Sequence, residues 1–216
     1  GVVPTLVDDA KGPTGVVRES NVIMEYIDDL ADDPPLRPAD PMDRAQMRLW
    51  MKRLDDRIHA ETGVVSSAIA FRHQKLVEGR EAAQKLVDGI PDERKRARMQ
   101  SIVFEGTASP LFAGAVAQFL ALIADMEAVL AQTPWLAGES FSLADMAYAP
   151  YATRLVHLKM DSLWAPDSAF ADWFERVRAR PGYRTALADW FDEKYLALMS
   201  EKGDEARPQI DAALAA

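Results

Sequence analysis

Few residues in this chain are equipped for chemistry, and they are scattered. His59, His73 and His157 stand without a second His or a Cys at ligand spacing, which argues against a zinc site. No serine has both a histidine base and a glycine elbow, so nucleophilic hydrolysis has no framework. Neither a phosphate loop nor a dinucleotide fingerprint occurs. What remains is the opening stretch, Val2-Val3-Pro4-Thr5-Leu6 with Glu19-Ser20-Asn21 behind it. A proline heading a strand, beside a strand-to-helix turn, suits an extended peptide-like ligand lying along exposed backbone. Its carboxylate would meet helix N–H groups and the Ser20 hydroxyl, and an ammonium would meet the Glu19 carboxylate. The same residues also read as an ordinary ββα unit, and spacing alone leaves both readings open.

These residues need elements to hold them. Val2 to Val7 predicts a strand, Asp8 to Gly12 a turn, and Val16-Val17-Arg18 a second strand. Ser20 reads as an N-cap opening a helix from Asn21 to about Leu30. Ala31 to Pro38 is polar and proline-rich, the character of a linker. Asp40, Pro41 and Asp43 then supply a cap, a first-turn proline and a first-turn acid. Met47, Trp50, Met51, Leu54 and Ile58 form one apolar stripe at helical spacing, and the charges off it read as a solvated face.

Further on, Arg72-His73-Gln74-Lys75 and Asp92 to Arg96 belong to a charge-dense segment, broken at Gly79 and at Gly89-Ile90-Pro91, with a returning helix to about Glu105. An anionic ligand could be invited there, but an exposed insertion fits the acidic chain better. Ser109-Pro110 starts a long apolar helix that reads as the core. Ser142 and Asp145 have capping-box spacing and read as folding residues, with Phe141 and Met146 placed for a hydrophobic staple. The helix that follows carries Tyr148, Tyr151, Leu155 and His157. The tyrosines and Trp50 suit either core packing or an aromatic pocket, and His157 reads as a core histidine. Phe170 to Val177 predicts another helix, stopped at Arg180-Pro181-Gly182, and Tyr183 to Phe191 a short last one. After Lys202 the tail reads as disordered, while Leu196 to Met199 could lie over a site.

Composition narrows the classes. The chain has 216 residues, 49% of them hydrophobic and 27% charged, so a folded core is expected. It has no cysteine, so any thiol chemistry needs a thiol brought by a ligand. A net charge of −9 argues against a nucleic-acid partner. No apolar stretch reads as long enough for a membrane span, and no metal site is expected. A cytoplasmic protein is the simplest fit.

Val3-Pro4 at the head of a hairpin, Glu19-Ser20, and the run Val22-Ile23-Met24-Glu25-Tyr26-Ile27 resemble the second half of a glutathione S-transferase N-terminal domain. Leu36-Arg37-Pro38-Ala39-Asp40-Pro41, followed by Arg44-Ala45, Met47-Arg48 and Trp50, is similar to bacterial β-etherases, which split lignin-derived aryl ethers with glutathione. The Ser142-x-x-Asp145 cap resembles that of the transferase C-terminal domain.

The resemblance implies a mainly α fold, a partial thioredoxin-like ββα unit followed by an all-helical C-terminal domain. It divides the chain into residues 1–33, a linker at 34–40, a helical domain at 41–200 and a tail at 201–216. It implies that Val3, Pro4, Glu19 and Ser20 bind glutathione, with a cis Val3–Pro4 bond. It further implies an apolar aromatic substrate, walled by the helix from Pro41, the helix from Leu143 and the tail, and a homodimer. In the family the thiol-activating residue precedes this stretch, so it is expected N-terminal to Gly1 and no catalytic residue is assigned. Two alternatives stay open: a non-catalytic transferase-like binding module, or a truncated chain without activity.

Overall fold

The computed structural model describes residues 3–31 and 35–214. Residues 1–2, 32–34 and 215–216 lie outside the description, and with them the strand entry at Val2, the middle of the linker and the last two residues of the tail. Strand β1 (Thr5–Val7) pairs antiparallel with β2 (Val16–Arg18), in the register Thr5 to Arg18, Leu6 to Val17 and Val7 to Val16. The strand therefore begins at Thr5, after Val3 and Pro4. A short 3₁₀ segment, Asp9–Thr14, joins the strands, and Asp8 caps it by accepting from the Ala10 N–H.

Helix α1 (Ser20–Leu30) starts one residue earlier than its sequence suggests. Ser20 is not the N-cap but the first helical residue, and Glu19 stands in front of it at φ 68°. That left-handed conformation is costly for a residue with a Cβ, and it lets the chain turn from strand to helix without a spacer.

Every named element after the linker is a helix. Asp40 caps α2 (Pro41–Arg53) by accepting from the Met42 and Asp43 N–H groups, with Pro41 in the first turn as its fixed φ favours. The helix then runs on through a π-helical stretch at Leu54–Ile58, α3 (His59–Ser66), a second π-helical stretch at Ser67–Phe71 and α4 (Arg72–Leu76). Gly79 breaks it, and α5 (Arg80–Asp88) and α6 (Glu93–Glu105) form the charged segment. That segment is not wholly an exposed insertion, because Ala83, Val87, Ile102 and Val103 are buried.

Helix α7 (Pro110–Leu130) is 21 residues long and, by length and composition, apolar enough to cross a membrane, contrary to the sequence expectation. Its face of Phe112, Val116, Phe119, Ile123 and Met126 is buried, and the helix packs on α3, on α9 (Ala169–Arg178) and on α11 (Glu193–Leu214). Helix α8 (Leu143–His157) touches α1, α2, α3, α9 and α11. Its start is fixed by Asp145, whose carboxylate accepts from the Ser142 N–H and hydroxyl, the Leu136 N–H and the Trp173 indole N–H, all at 2.9–3.0 Å. Burial pushes this carboxyl upward in pKa against the pull of those four donors.

Pro181 does not simply stop a helix but opens the short α10 (Pro181–Ala186). The tail is ordered helix rather than disordered. Met199, Ala206 and Ile210 bury one face of α11, and Gly203 lets its backbone press against the end of α8, where a Cβ would come within 2.4 Å of the Leu158 carbonyl. Apolar spacing that continues beyond Lys202 through Ala206 and Ile210 explains the difference.

Candidate glutathione site

The four residues of the opening stretch sit at one exposed corner. Val3 is 91% exposed, Pro4 is exposed, and the bond between them is cis. Glu19 and Ser20 are also exposed, at the start of α1, and the Glu19 side chain makes no capping bond to that helix. Its first N–H groups are thus left for an outside acceptor, and the helix dipole favours an anion there.

Polar contacts hold α1 in place. Asn21 donates its Nδ2 to the Met51 carbonyl at 2.9 Å and to the Asp55 carboxylate at 2.7 Å. Its Oδ1 is buried and has no partner among the described residues. Arg48 grips the Glu25 carboxylate with Nε and Nη2, the shortest contact 2.6 Å. Asp28, buried, accepts from the Leu36 N–H and the Arg37 Nε, and the Leu36 carbonyl accepts from the Leu143 N–H. This chain of bonds ties α1 to the linker and the linker to the first turn of α8.

Behind Ser20 opens a cleft of about 570 Å³ between α1, α8 and α10. Ser20, Met24, Leu36 and Leu54 line it on one side, and Phe141, Met146, Tyr151, Arg180 and Tyr183 on the other. Its apolar lining and size suit a small organic ligand. Burial and the nearby Asp55 charge push the Tyr151 hydroxyl up to about 12. It therefore stays protonated at neutral pH and can donate a hydrogen bond, and it lies 2.9 Å from the His59 Nδ1. Tyr148 does not join this wall. It is buried, donates to the Trp50 carbonyl at 2.9 Å and packs edge-on against Trp50, so both are core.

The expected walls are divided between two clefts. The π-helical stretch at Leu54 and the first half of α8 border this one. Leu196 and Met199 of α11 do not lie over it. They line a neighbouring cleft of about 600 Å³ that shares only Pro150 and Leu187 with the first. His157 belongs there too, half-buried and edge-on to Phe191 at 4.8 Å, rather than in the core. Arg154, also in that second cleft, was not singled out by sequence. Its only signal was a basic residue one turn before His157 on an otherwise apolar helix.

Residues 96–193 match the family model for the glutathione S-transferase C-terminal domain. Three curated relatives align across most of the chain. FtsZ-localized protein A of Caulobacter vibrioides is 27% identical over 195 residues, covering 88% of this chain and 71% of the relative. Protein LigF of Sphingobium is 28% identical over 220 residues, covering 94% and 79%. Glutathione S-transferase GstB of Escherichia coli is 25% identical over 189 residues, covering 87% and 74%. Among solved structures, the Sphingobium β-etherase LigF superposes with a TM-score of 0.67 at 23% identity, covering 81% of this chain and 74% of that one, a likeness of fold. The chain is similar to glutathione S-transferases over most of its length, and its residues 96–193 match their C-terminal domain.

Proposed function

We propose that this chain binds glutathione at the Val3–Pro4 and Glu19–Ser20 corner and directs its thiolate at an apolar aromatic electrophile held in the adjoining cleft. The observation that carries the reading is the continuity of the two: Ser20, at the uncapped start of α1, also lines the apolar cleft. In this reading the exposed backbone of Val3 pairs with the cysteinyl unit. The Ser20 hydroxyl and the free N–H groups of α1 take the γ-glutamyl carboxylate, and Glu19 takes its ammonium. Bound glutathione would supply the nucleophilic sulfur. The chain's own contribution is to fix the peptide, to exclude water around the electrophile with Met24, Leu36, Phe141 and Met146, and to offer the Tyr151 hydroxyl as a donor to developing negative charge. No described residue is assigned to thiol activation. The division at 33/34 and 40/41 into a glutathione-binding part, a linker and a helical part belongs to the same proposal, as does the homodimer.

The finer reading is β-aryl ether cleavage, in which carbon–sulfur bond formation expels a phenolate, and it rests on the likeness to LigF. Its test is glutathione-dependent release of a phenol from a β-aryl ether, alongside turnover of an aromatic halide. Turnover of the halide alone would remove the ether reading and keep the transferase.

A second reading, a binding module without turnover, is favoured by the similarity to FtsZ-localized protein A. Glutathione binding with neither substrate turned over would select it.

A further inference from the structure

The second cleft has a character of its own. Its floor is the last turn of α8, with Arg154 and His157, and its walls are Phe71 of the second π-helical stretch, Phe191, and Tyr195 of α11. Arg154 is half-buried, and among the described residues no carboxylate comes within ion-pair distance of it. Among the described residues its guanidinium meets the Met199 sulfur, 3.0 Å from Nη1, and the Phe71 ring, 5.4 Å from Cζ to the centroid. Burial alone accounts for the downward pull on its pKa, with no acid to offset it. The carboxylate that does line the cleft, Asp192, has its Oδ1 occupied as acceptor for the Lys194 and Tyr195 N–H groups.

A guanidinium carries five donors in a planar fork, and a thioether is a weak acceptor. The cation–π contact and the C-terminal end of α8 make the charge tolerable there, but they leave most of its donors unfilled. Several other partly buried arginines have oxygen acceptors: Arg37 has Asp28, Arg53 has Asp125 at 2.8 Å, and Arg72 and Arg96 have the Val103 and Ile90 carbonyls at 2.9 Å. Arg154 has the Met199 thioether in place of an oxygen acceptor among the described residues, inside a cavity of about 600 Å³ with aromatic walls.

We propose that this cleft is a binding site for a small aromatic monocarboxylate, its carboxylate on the Arg154 fork and its ring among Phe71, Phe191 and Tyr195. A planar fork matches a carboxylate in bidentate geometry, and edge-on aromatic walls match a flat ring. Phe71 and Tyr195 already meet edge to face at 6.0 Å, so the walls are set before a ligand arrives. The net charge of −9 disfavours polyanions and leaves a singly charged ligand as the fitting class. The site does not depend on glutathione binding at the other cleft.

Calorimetric titration of the full chain with 2-naphthoate and with its neutral amide, 2-naphthamide, tests this. Saturable one-to-one binding of the acid, at least about tenfold tighter than the amide, is expected. Arg154→Met, which keeps the apolar stem, should abolish that preference. Ser20→Ala, in the other cleft, should leave it intact. Equal binding of acid and amide to the unaltered protein overturns the proposal whatever the variant does, as does a preference that survives Arg154→Met or disappears in Ser20→Ala.

Discussion

The N-terminal unit, β1, β2 and α1, and the helical remainder are stabilised in different ways. The helical part has a continuous apolar core running from Met47 to Ile210, with Trp173, Tyr148, Phe112 and Phe119 fully enclosed. Within the N-terminal unit, Ile23 is the one apolar side chain with a Cβ that is buried among the described residues, while Val7, Val16, Val22, Ile27 and Leu30 face outward. A two-stranded hairpin is marginal in water by itself. The contacts that hold this unit against the helices run through α1 and are mostly polar: Asp28 to the linker, Glu25 to Arg48, Asn21 to Met51 and Asp55. The corner offered to a ligand therefore sits on the less buried unit, and a handful of hydrogen bonds determine its position relative to the apolar cleft.

Breaking each kind of anchor should give effects of different size and reach. The largest is expected from Asp145→Ala, which leaves the Leu136 and Ser142 N–H groups and the Trp173 indole N–H buried without their acceptor. Each such donor costs about 1–3 kcal/mol, so a global loss of at least about 3 kcal/mol should appear in urea unfolding. Asp28→Ala should cost less, about 1–3 kcal/mol, and locally. Amide hydrogen exchange should quicken in α1 and the strands while α7 keeps its protection. If α7 loosened equally, the two units would be one cooperative body and the contrast between them would fail.

The smallest effect concerns pH. Burial, with Arg72 beside His73 and Arg154 beside His157, holds both imidazoles below their ordinary value of 6.5. The unfolded chain then takes up protons first as pH falls, so their contribution is complete above 6.5 and is lost as pH drops through the folded values. Urea midpoints measured at about pH 7.5 and about pH 5.5 should converge between wild type and a His73→Gln, His157→Gln variant at the lower pH. A gap that widens on acidification would reverse the sign.

Much of this was legible from residue order because local chemistry dictates it. Asp40-Pro41 and Ser109-Pro110 start helices as their caps demand, and the Met47 to Ile58 stripe is buried as its spacing requires. Asp145 reaches back to the Ser142 N–H, as the capping-box spacing implies. The failures are tertiary. The tail after Lys202 read as disordered, yet α11 continues through it, and Gly203 lets its backbone approach the Leu158 carbonyl. Ser20 looked like a cap until Glu19 took the left-handed turn. Arg154 gave no warning, because its lack of an acidic partner is a fact about Phe71, Met199 and Asp192, which are remote from it in sequence. The splitting of one expected pocket into two clefts likewise depends on where α10 and α11 pack.

The central claim, a glutathione site at the strand-to-helix corner, is tested most directly by amide NMR titration of the full chain with reduced glutathione. The account predicts saturable shifts at Val3, Glu19, Ser20 and Asn21, weakened in Ser20→Ala while the amides of α7 stay fixed. Saturable shifts elsewhere with none at this corner, or no shifts at all at millimolar glutathione, would contradict it.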